Sequence, residues 1–243
     1  MIFEAEKFVF DPPPAVSVAR RVLIKPDAGV SAPYPATTSR ELLATIIDGI
    51  RRVSDADIIV LEGTGDGSPV TPIYQTLGYD FPRVLMLDVK DCIWVEVDNP
   101  LPKPLAVPAF WVPNVILSSD YLISVTPLKI AQNKGNLSIP NLISLLPIKK
   151  YSEVEGGWEA FYELGIDKVI ADLYFTLPFD MGIIEANQKL IYDDNPLKGK
   201  NEEVGKLFIG DPLQVDKEVS ETLGIRADYL QLIRLAESGI DTI

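Results

Sequence analysis

Short apolar runs alternate with amphipathic segments along most of the chain, and this alternation is typical of an open sheet with helices on its faces. The apolar runs predict buried strands over residues 20–26, 56–63, 83–89, 92–99, 121–129, 180–187 and 204–210. The amphipathic segments predict helices over 39–53, 71–80, 167–177, 213–224 and 227–239, with a further helix interrupted near Pro140. We therefore expect an α/β fold.

Two of these helices begin with cap signatures. Thr38 with Glu41 three residues later is a capping box, and Asp211 before Pro212 is typical of an N-cap. Between the regular segments, four prolines at 100–108 predict a loop or edge element, and a polar stretch around 151–159 predicts an insertion.

Length and composition favour a single compact unit. The chain has 243 residues, of which 47% are apolar, and a domain of this size buries about three quarters of its unfolded surface. We expect a single α/β domain over 1–243 with its core at roughly 20–238. Its sheet should be mixed and mostly parallel, with helices on both faces.

The charge balance narrows the range of partners. A formal net charge of −13 leaves no basic field for phosphate backbones, so we expect neither nucleic acid nor an anionic membrane as a partner. No apolar stretch approaches the ~20 residues of a membrane span, and the first residues do not resemble a signal peptide. We interpret the protein as cytoplasmic. An anionic small molecule remains a candidate partner if a local pocket supplies lysines.

Cysteine and histidine usage restricts the chemistry. The chain has one cysteine, Cys92, and no histidine. We therefore expect no disulfide within the chain, no zinc finger, no four-thiolate iron–sulfur cluster and no serine triad that contains histidine. A metal site would have to use oxygen ligands, which favours Mg²⁺ or another hard divalent ion.

Several polar residues stand where predicted strands end. Ligands of open parallel sheets bind beyond the carboxyl ends of the strands. In this chain that rule selects Lys25, the segment 62–68, Asp88, Lys129 and Glu185. If the strands are parallel and adjacent, two lysines and several acids converge on one crevice.

The segment "VLEGTGDGSP" at 60–69 has three interpretations. It is a glycine turn before a helix, with Asp66 or Ser68 as a cap. Alternatively, it binds an anion or substrate through a backbone that approaches the ligand closely, at Gly63, Gly65, Gly67 and Ser68. A third interpretation is a metal loop built from Glu62, Asp66 and Asp88.

Lys25 and Lys129 each lie within two residues of a proline at a strand exit. A lysine at a strand end usually extends to solvent. The stiff backbone would instead let this pair point at a phosphate or carboxylate. In that hypothesis Glu62 or Asp66 is the general base or a ligand of the divalent ion.

Five segments carry a family resemblance: "VLIKPDAGVSAPYPATTS", "IIVLEGTGDGSP", "SDYLISVTPLK", "NLISLLP" and "GDPLQVD". In this order they resemble the domain of unknown function 362 family. The resemblance implies a single α/β module whose general function is not established. The matching positions are Lys25, Glu62, Gly63, Gly65, Lys129, Asn141 and Asp211.

The chain also departs from the family pattern. The family usually has Lys-Thr-His where this chain has Lys129, Ile130 and Ala131, and a Lys-Asn pair where it has Pro140 and Asn141. More remotely, the order of segments is similar to the nickel-dependent lactate racemase family. That family relies on histidines absent here, so the similarity implies fold only.

Two hypotheses of function follow. The first is a protein or enzyme that binds an anionic metabolite in a crevice lined by Lys25, the 62–68 loop, Asp88, Lys129 and Asn141. The alternative is a catalytically silent member that acts as a homo-oligomeric structural or interaction protein. Its interface would lie around Trp111 and the proline-rich segment 100–108.

Overall fold

The computed structural model describes residues 1–152, 159–177, 179–193 and 195–239. Its strands are β1 (Ile2–Glu4), β2 (Arg21–Lys25), β3 (Asp57–Glu62), β4 (Val84–Asp88), β5 (Trp94–Asp98), β6 (Ala109–Pro113), β7 (Tyr121–Ala131), β8 (Lys134–Asn136), β9 (Met181–Tyr192) and β10 (Lys200–Gly210). All the predicted strands are confirmed. The polar stretch predicted around 151–159 falls largely outside the described residues.

The α-helices are α1 (Pro14–Val18), α2 (Arg40–Val53), α3 (Thr71–Thr76), α4 (Asn114–Leu117), α5 (Ile148–Ser152), α6 (Glu159–Glu163), α7 (Ile166–Thr176), α8 (Pro212–Leu223) and α9 (Tyr229–Glu237). Short 3-10 helices cover Ala5–Lys7, Val89–Asp91, Pro140–Leu145 and Pro196–Lys198. The helix predicted near Pro140 is therefore a 3-10 helix. No helix among the described residues has the length and apolar character needed to cross a membrane.

The main sheet has the order β1-β10-β9-β7-β2-β3-β4, with β8 paired to β7. The strands β4, β3, β2, β7 and β9 are mutually parallel, while β10, β1 and β8 pair in antiparallel fashion. The mixed, mostly parallel sheet is thus confirmed. The strands β5 and β6 form a separate two-stranded sheet.

The chain reverses its direction of strand addition between β2 and β7. From β2 it adds β3 and β4 on one side, and from β7 it adds β9 and β10 on the other. This point, where the strand order reverses, is where doubly wound sheets bind ligands. Lys25 and Ser124 are partners in the register of β2 and β7 there.

Apolar clusters lie on both faces of the sheet because side chains alternate along each strand. Val22 and Ile24 of β2 pack with the apolar side of α2 on one face. Leu23 packs on the other face with residues of α7 and the 3-10 helix Pro140–Leu145. Helices on both faces are therefore confirmed, and the 3-10 helix is placed over the end of β2.

The start of α2 differs from the capping prediction. Ser39, not Thr38, is the N-cap, and its Oγ accepts a hydrogen bond from the Leu42 backbone N–H at 3.1 Å. Thr38 instead pairs with Asp27: its hydroxyl accepts the Asp27 N–H at 2.9 Å, and its own N–H donates to the Asp27 carbonyl at 2.8 Å. The Asp211 cap of α8 is confirmed, since its Oδ1 accepts from the Gln214 N–H at 3.1 Å.

The proline-rich segment 100–108 contains no regular helix or strand and is fixed to α7 by Asp172. That buried carboxylate accepts three backbone N–H groups of the segment at 2.7–3.0 Å and the Asn99 amide at 2.7 Å. The segment is thus anchored to its own domain.

We predict that Asp172→Asn lowers the free energy of unfolding by about 2–4 kcal/mol, because an amide cannot accept all four hydrogen bonds of a buried carboxylate. Urea denaturation measures the change. The matched control on the same helix is Asp167→Asn, which breaks the half-exposed pair with Lys134 and should cost less than about 1 kcal/mol. Equal losses in the two variants would contradict the anchoring role.

Candidate functional site

A buried ion pair joins the ends of β2 and β3. The Lys25 ammonium lies 3.0 Å from each carboxylate oxygen of Glu62, and both side chains are 1% exposed. Lys25 also donates to the Pro26 carbonyl at 2.7 Å and to Asn141 Oδ1 at 2.8 Å. Every strong partner of this ammonium therefore comes from the protein itself.

Glu62 is equally satisfied. Its oxygens accept the backbone N–H groups of Ala28 at 2.7 Å and Gly63 at 2.9 Å, and the Ser144 hydroxyl at 2.6 Å. Burial lowers the pKa of the Lys25 ammonium, and the Glu62 charge opposes that change. The arrangement favours a structural ion pair, and it leaves Glu62 without the accessible lone pair that a general base or metal ligand needs.

Asn141 occupies the point between β2 and β7 where the strand order reverses. Its amide nitrogen donates to Ser124 Oγ at 3.1 Å and lies 3.4 Å from the carbonyl oxygens of Lys25 and Val125. The side chain comes from the 3-10 helix Pro140–Leu145. The crevice expected at this position is thus filled by the chain.

Lys129 belongs to the same charge cluster. Its ammonium lies 2.5 Å from Asp27 Oδ2 and donates to the Ala36 carbonyl at 3.3 Å. Burial lowers the pKa of Lys129, but the Asp27 carboxylate outweighs burial and raises the pKa overall. Asp27 Oδ2 also accepts from Asn136 Nδ2 at 3.0 Å. The two lysines lie together as expected, with a carboxylate beside each, so the four charges cancel.

The glycine loop stands apart from this cluster. Gly65 and Asp66 form a turn closed by the Gly67 N–H to the Thr64 carbonyl at 3.3 Å. Asp66 is exposed, and its Oδ1 accepts the Ser68 N–H at 2.9 Å. Gly67 has a φ of 73°, which suits glycine. Gly67 and Ser68 thus donate their backbone N–H groups within the loop, as in a turn.

Gly63 and Asp88 serve packing around this loop. A Cβ on Gly63 would lie 2.5 Å from the Ser144 carbonyl oxygen, so glycine permits the close approach of the 3-10 helix. Asp88 Oδ2 accepts the Val70 N–H at 2.8 Å. The hollow between Gly63, Ser68 and Asp88 measures about 10 Å³, room for roughly one water.

The three carboxylates of the metal hypothesis lie in different settings. Glu62 is paired with Lys25, Asp66 is on the surface, and Asp88 caps backbone groups. Within the described ranges, no group of three or more His, Cys, Asp or Glu side chains has an arrangement that could hold a metal ion. A hard divalent ion at this loop stays a prediction without geometric support.

Glu185, the last of the strand-end residues selected from the sequence, binds Ser39, the N-cap residue of α2. Its carboxylate accepts the Ser39 N–H at 2.9 Å and the Ser39 hydroxyl at 2.5 Å. Burial raises the pKa of Glu185 to about 7, although the hydrogen bonds from Ser39 oppose the shift. Sequence reasoning selected Glu185 by its strand-end position but could not foresee Ser39, 146 residues away.

An open cleft lies beside the Lys129–Asp27 pair. It has a volume of about 590 Å³ and is bordered by Asn136, which binds Asp27, and by Tyr192. The Lys129 charge acts on Tyr192, where burial raises the phenol pKa and Lys129 opposes the rise. Tyr192 ends β9, which is parallel to β7, and Asn136 belongs to β8, which pairs in antiparallel fashion with the end of β7.

Sequence reasoning missed this cleft. Its polar residues include Lys134, Asp167, Arg226 and Tyr229, and its apolar wall includes Pro140, Ile143, Ile166 and Ile170. Lys134 pairs with Asp167 at 2.7 Å, and Arg226 pairs with Asp228 at 2.5 Å. The available clue was the polar turn between β7 and β8, Gln132 and Asn133, which begins three residues after Lys129.

We predict that Lys25→Met lowers the free energy of unfolding by about 3–5 kcal/mol, because it leaves the Glu62 charge buried without its partner. The double variant Lys25→Met with Glu62→Gln should recover part of this loss. Urea denaturation of both proteins and of the control Lys189→Met checks the prediction. Lys189 forms a partly exposed pair with Glu202, so its loss should cost less than about 1 kcal/mol.

We predict a pH dependence from Glu185. Its folded pKa of about 7 lies above the ordinary 4.5, so protonation stabilises the fold below pH 4.5, and that stability is lost as the pH rises to 7. The stability of the wild type relative to Glu185→Gln should fall by on the order of 2–3 kcal/mol over this window. Urea denaturation at several pH values measures it. Glu221→Gln, at an exposed site, should follow the wild type, and a parallel course of wild type and Glu185→Gln would contradict the assignment.

Comparison with known proteins shows that the chain shares its fold with a solved structure. No curated protein matches the sequence. Among solved structures, the chain is similar to the lactate racemase apoprotein from Thermoanaerobacterium thermosaccharolyticum, with a TM-score of 0.58 and 12% identity. The match covers 90% of this chain and 53% of that one, so this chain spans about half the length of that protein. Identity at this level establishes a shared fold.

A family model assigns the sequence itself. The model described as "Domain of unknown function (DUF362)" matches residues 22–221. This range runs from β2 through most of α8 and includes the buried charge cluster. The chain therefore belongs to the domain of unknown function 362 family.

Proposed function

We propose that the protein binds a small anionic molecule with an apolar body in the cleft beside Lys129 and Asp27. The observation that carries the proposal is a cleft of about 590 Å³ at the carboxyl ends of β7 and β9. Ligands of open α/β sheets bind at this end of the strands, and a volume of this size suits a small molecule.

Two cations support an anionic ligand. Lys134 and Arg226 both border the cleft, and their backbones are joined by an isolated bridge. Their side-chain pairs with Asp167 and Asp228 are partly exposed and are worth about 0–1 kcal/mol each. A ligand carboxylate or phosphate can therefore share these cations at small cost.

The start of α7 supports the same orientation of the ligand. Ile166 and Asp167, in its first turn, line the cleft, and the N-cap Gly165 offers no side-chain cap. Unpaired N–H groups at a helix start favour an anion nearby. Ile143 and Ile170 provide an apolar surface for the rest of the ligand.

The charge cluster has a supporting role in this proposal. Lys129 and Asp27 are each about one-tenth exposed and lie behind the border of the cleft that Asn136 and Tyr192 form. Lys25 and Glu62 are fully enclosed and hold the strand ends in place. In this proposal the ligand lies at the β7–β8 turn and not at Gly65, Gly67 and Ser68, where the sequence analysis expected it.

A structural role in a homo-oligomer is the second candidate. The observation in its favour is that Asn141 occupies the crevice between β2 and β7, where the strand order reverses. Its proposed interface at 100–108 is already anchored by Asp172. Sedimentation of the protein over a range of concentrations tests this candidate independently of ligand binding.

We predict that phenyl phosphate or benzoate raises the melting temperature of the wild type, whereas phenol, which lacks the anion, does not. At 100 times its dissociation constant a ligand adds about 2.7 kcal/mol, a shift of about 5–10 °C at this size. The shift should vanish in the double variant Lys134→Gln with Arg226→Gln. It should persist in Lys217→Gln, an exposed cation of α8. A shift that is equal in all three proteins would contradict the cleft.

A further inference from the structure

A second concentration of positive charge lies at the opposite end of the sheet. Arg21 begins β2, Arg20 precedes it, and Arg83 precedes β4. All three are at the amino ends of parallel strands, remote from the carboxyl-end cleft. In a chain with a net charge of −13, this grouping has no part in the function proposed above.

Only part of the Arg21 guanidinium has hydrogen-bond partners. Its Nη1 donates to Ser118 Oγ at 2.8 Å and approaches the Ser118 carbonyl at 3.4 Å. Its Nε is enclosed, and among the described residues it is the buried side-chain nitrogen or oxygen that lacks a hydrogen-bond partner. Buried donors without partners are rare and call for an explanation such as a bound water or ion.

The acids nearby do not satisfy this group. Asp120 is committed elsewhere: its Oδ2 accepts the backbone N–H groups of Arg20 and Arg21 at 2.8 and 3.1 Å, and its Oδ1 accepts from the Arg20 side chain at 3.2 Å. Asp57 lies opposite Arg21 in the pairing of β2 with β3. Among the ion pairs of the described residues, none joins Asp57 to Arg21.

Two open hollows flank the Arg21 side chain, each of about 360 Å³. One is bordered by Arg20, Ser118 and Asp120, and the other by Arg83 and Leu85. Asp57 borders both. Arg21 lines both hollows. To reach the enclosed Nε, a ligand in either hollow requires a shift of the Arg21 side chain.

We propose that Arg21 binds a small free oxoanion at the amino ends of β2 and β3. The Nε–Nη2 edge would take two oxygens of a carboxylate or phosphate in parallel hydrogen bonds, the geometry that a guanidinium fork favours. Arg20 and Arg83 flank the site, each in an exposed ion pair, with Asp120 and Asp55 respectively, that an anion could compete for. Asp57 opposes the anion. This site is independent of the carboxyl-end cleft.

The test is an NMR titration of the Arg21 Nε–Hε resonance at low ionic strength, with inorganic phosphate and with acetate as separate probes. The resonance should shift in a saturable way, with a dissociation constant of about 1–10 mM for at least one probe. The better probe tells a tetrahedral anion from a planar one. This test needs only the wild type. If neither probe shifts the Arg21 Nε–Hε resonance, the proposal is overturned.

Variants separate a fork from a general charge effect. Arg21→Lys keeps the charge but removes the fork, so binding measured by calorimetry should weaken about tenfold or more. Arg234→Lys, at an exposed site on α9, should bind as the wild type does. Asp57→Asn should bind more tightly because it removes an opposing charge. Unchanged affinity in Arg21→Lys overturns the proposal, whereas the cleft variant Lys134→Gln should leave this site intact.

Discussion

The buried pair of Lys25 and Glu62 is the interaction on which the centre of this structure depends. Moving two charges out of water is costly, and the cost is offset only when geometry is good and every remaining donor and acceptor is satisfied. Here the ammonium has Pro26 and Asn141 as further partners, and the carboxylate has two backbone N–H groups and Ser144. The pair therefore joins β2, β3, the loop after β2 and the 3-10 helix into one unit.

This closure determines where open space remains at the carboxyl edge of the sheet. Asn141 contacts both β2 and β7 and so occupies the point where the strand order reverses. The strands β7 and β9 continue together beyond it, through a register shift after Pro127, as far as Ala131 and Tyr192. The open space at the carboxyl edge lies at these extended ends. Strand length, together with strand order, places the cleft.

Much of the fold was predictable from the sequence, because apolar periodicity directly reports which residues face the core. The convergence of Lys25 and Lys129 was also predictable, since both lie toward the carboxyl ends of parallel strands: Lys25 is the last residue of β2, and Lys129 stands two residues before the end of β7. The expected crevice also included Glu62 and Asn141, but their direct hydrogen bonds to Lys25 were not predictable: Asn141 is 116 residues from Lys25, and no local pattern encodes such a bond. The cap of α2 shows the same limit. Thr38 and Ser39 are equivalent by sequence, and Glu185, a distant residue, selects Ser39.

The glycine loop after β3 illustrates why a strand-end position does not by itself indicate a ligand site. Its glycines have local causes: Gly63 admits the carbonyl of Ser144, and Gly67 adopts a positive φ. An anion-binding loop has to leave backbone N–H groups free, but here Gly67 and Ser68 donate theirs to Thr64 and Asp66. Donors already paired within the loop offer an anion little, whereas the Arg21 Nε is, among the described side chains, a buried donor without a partner. In this fold a donor without a partner is therefore a stronger reason to propose a binding site than glycine content is.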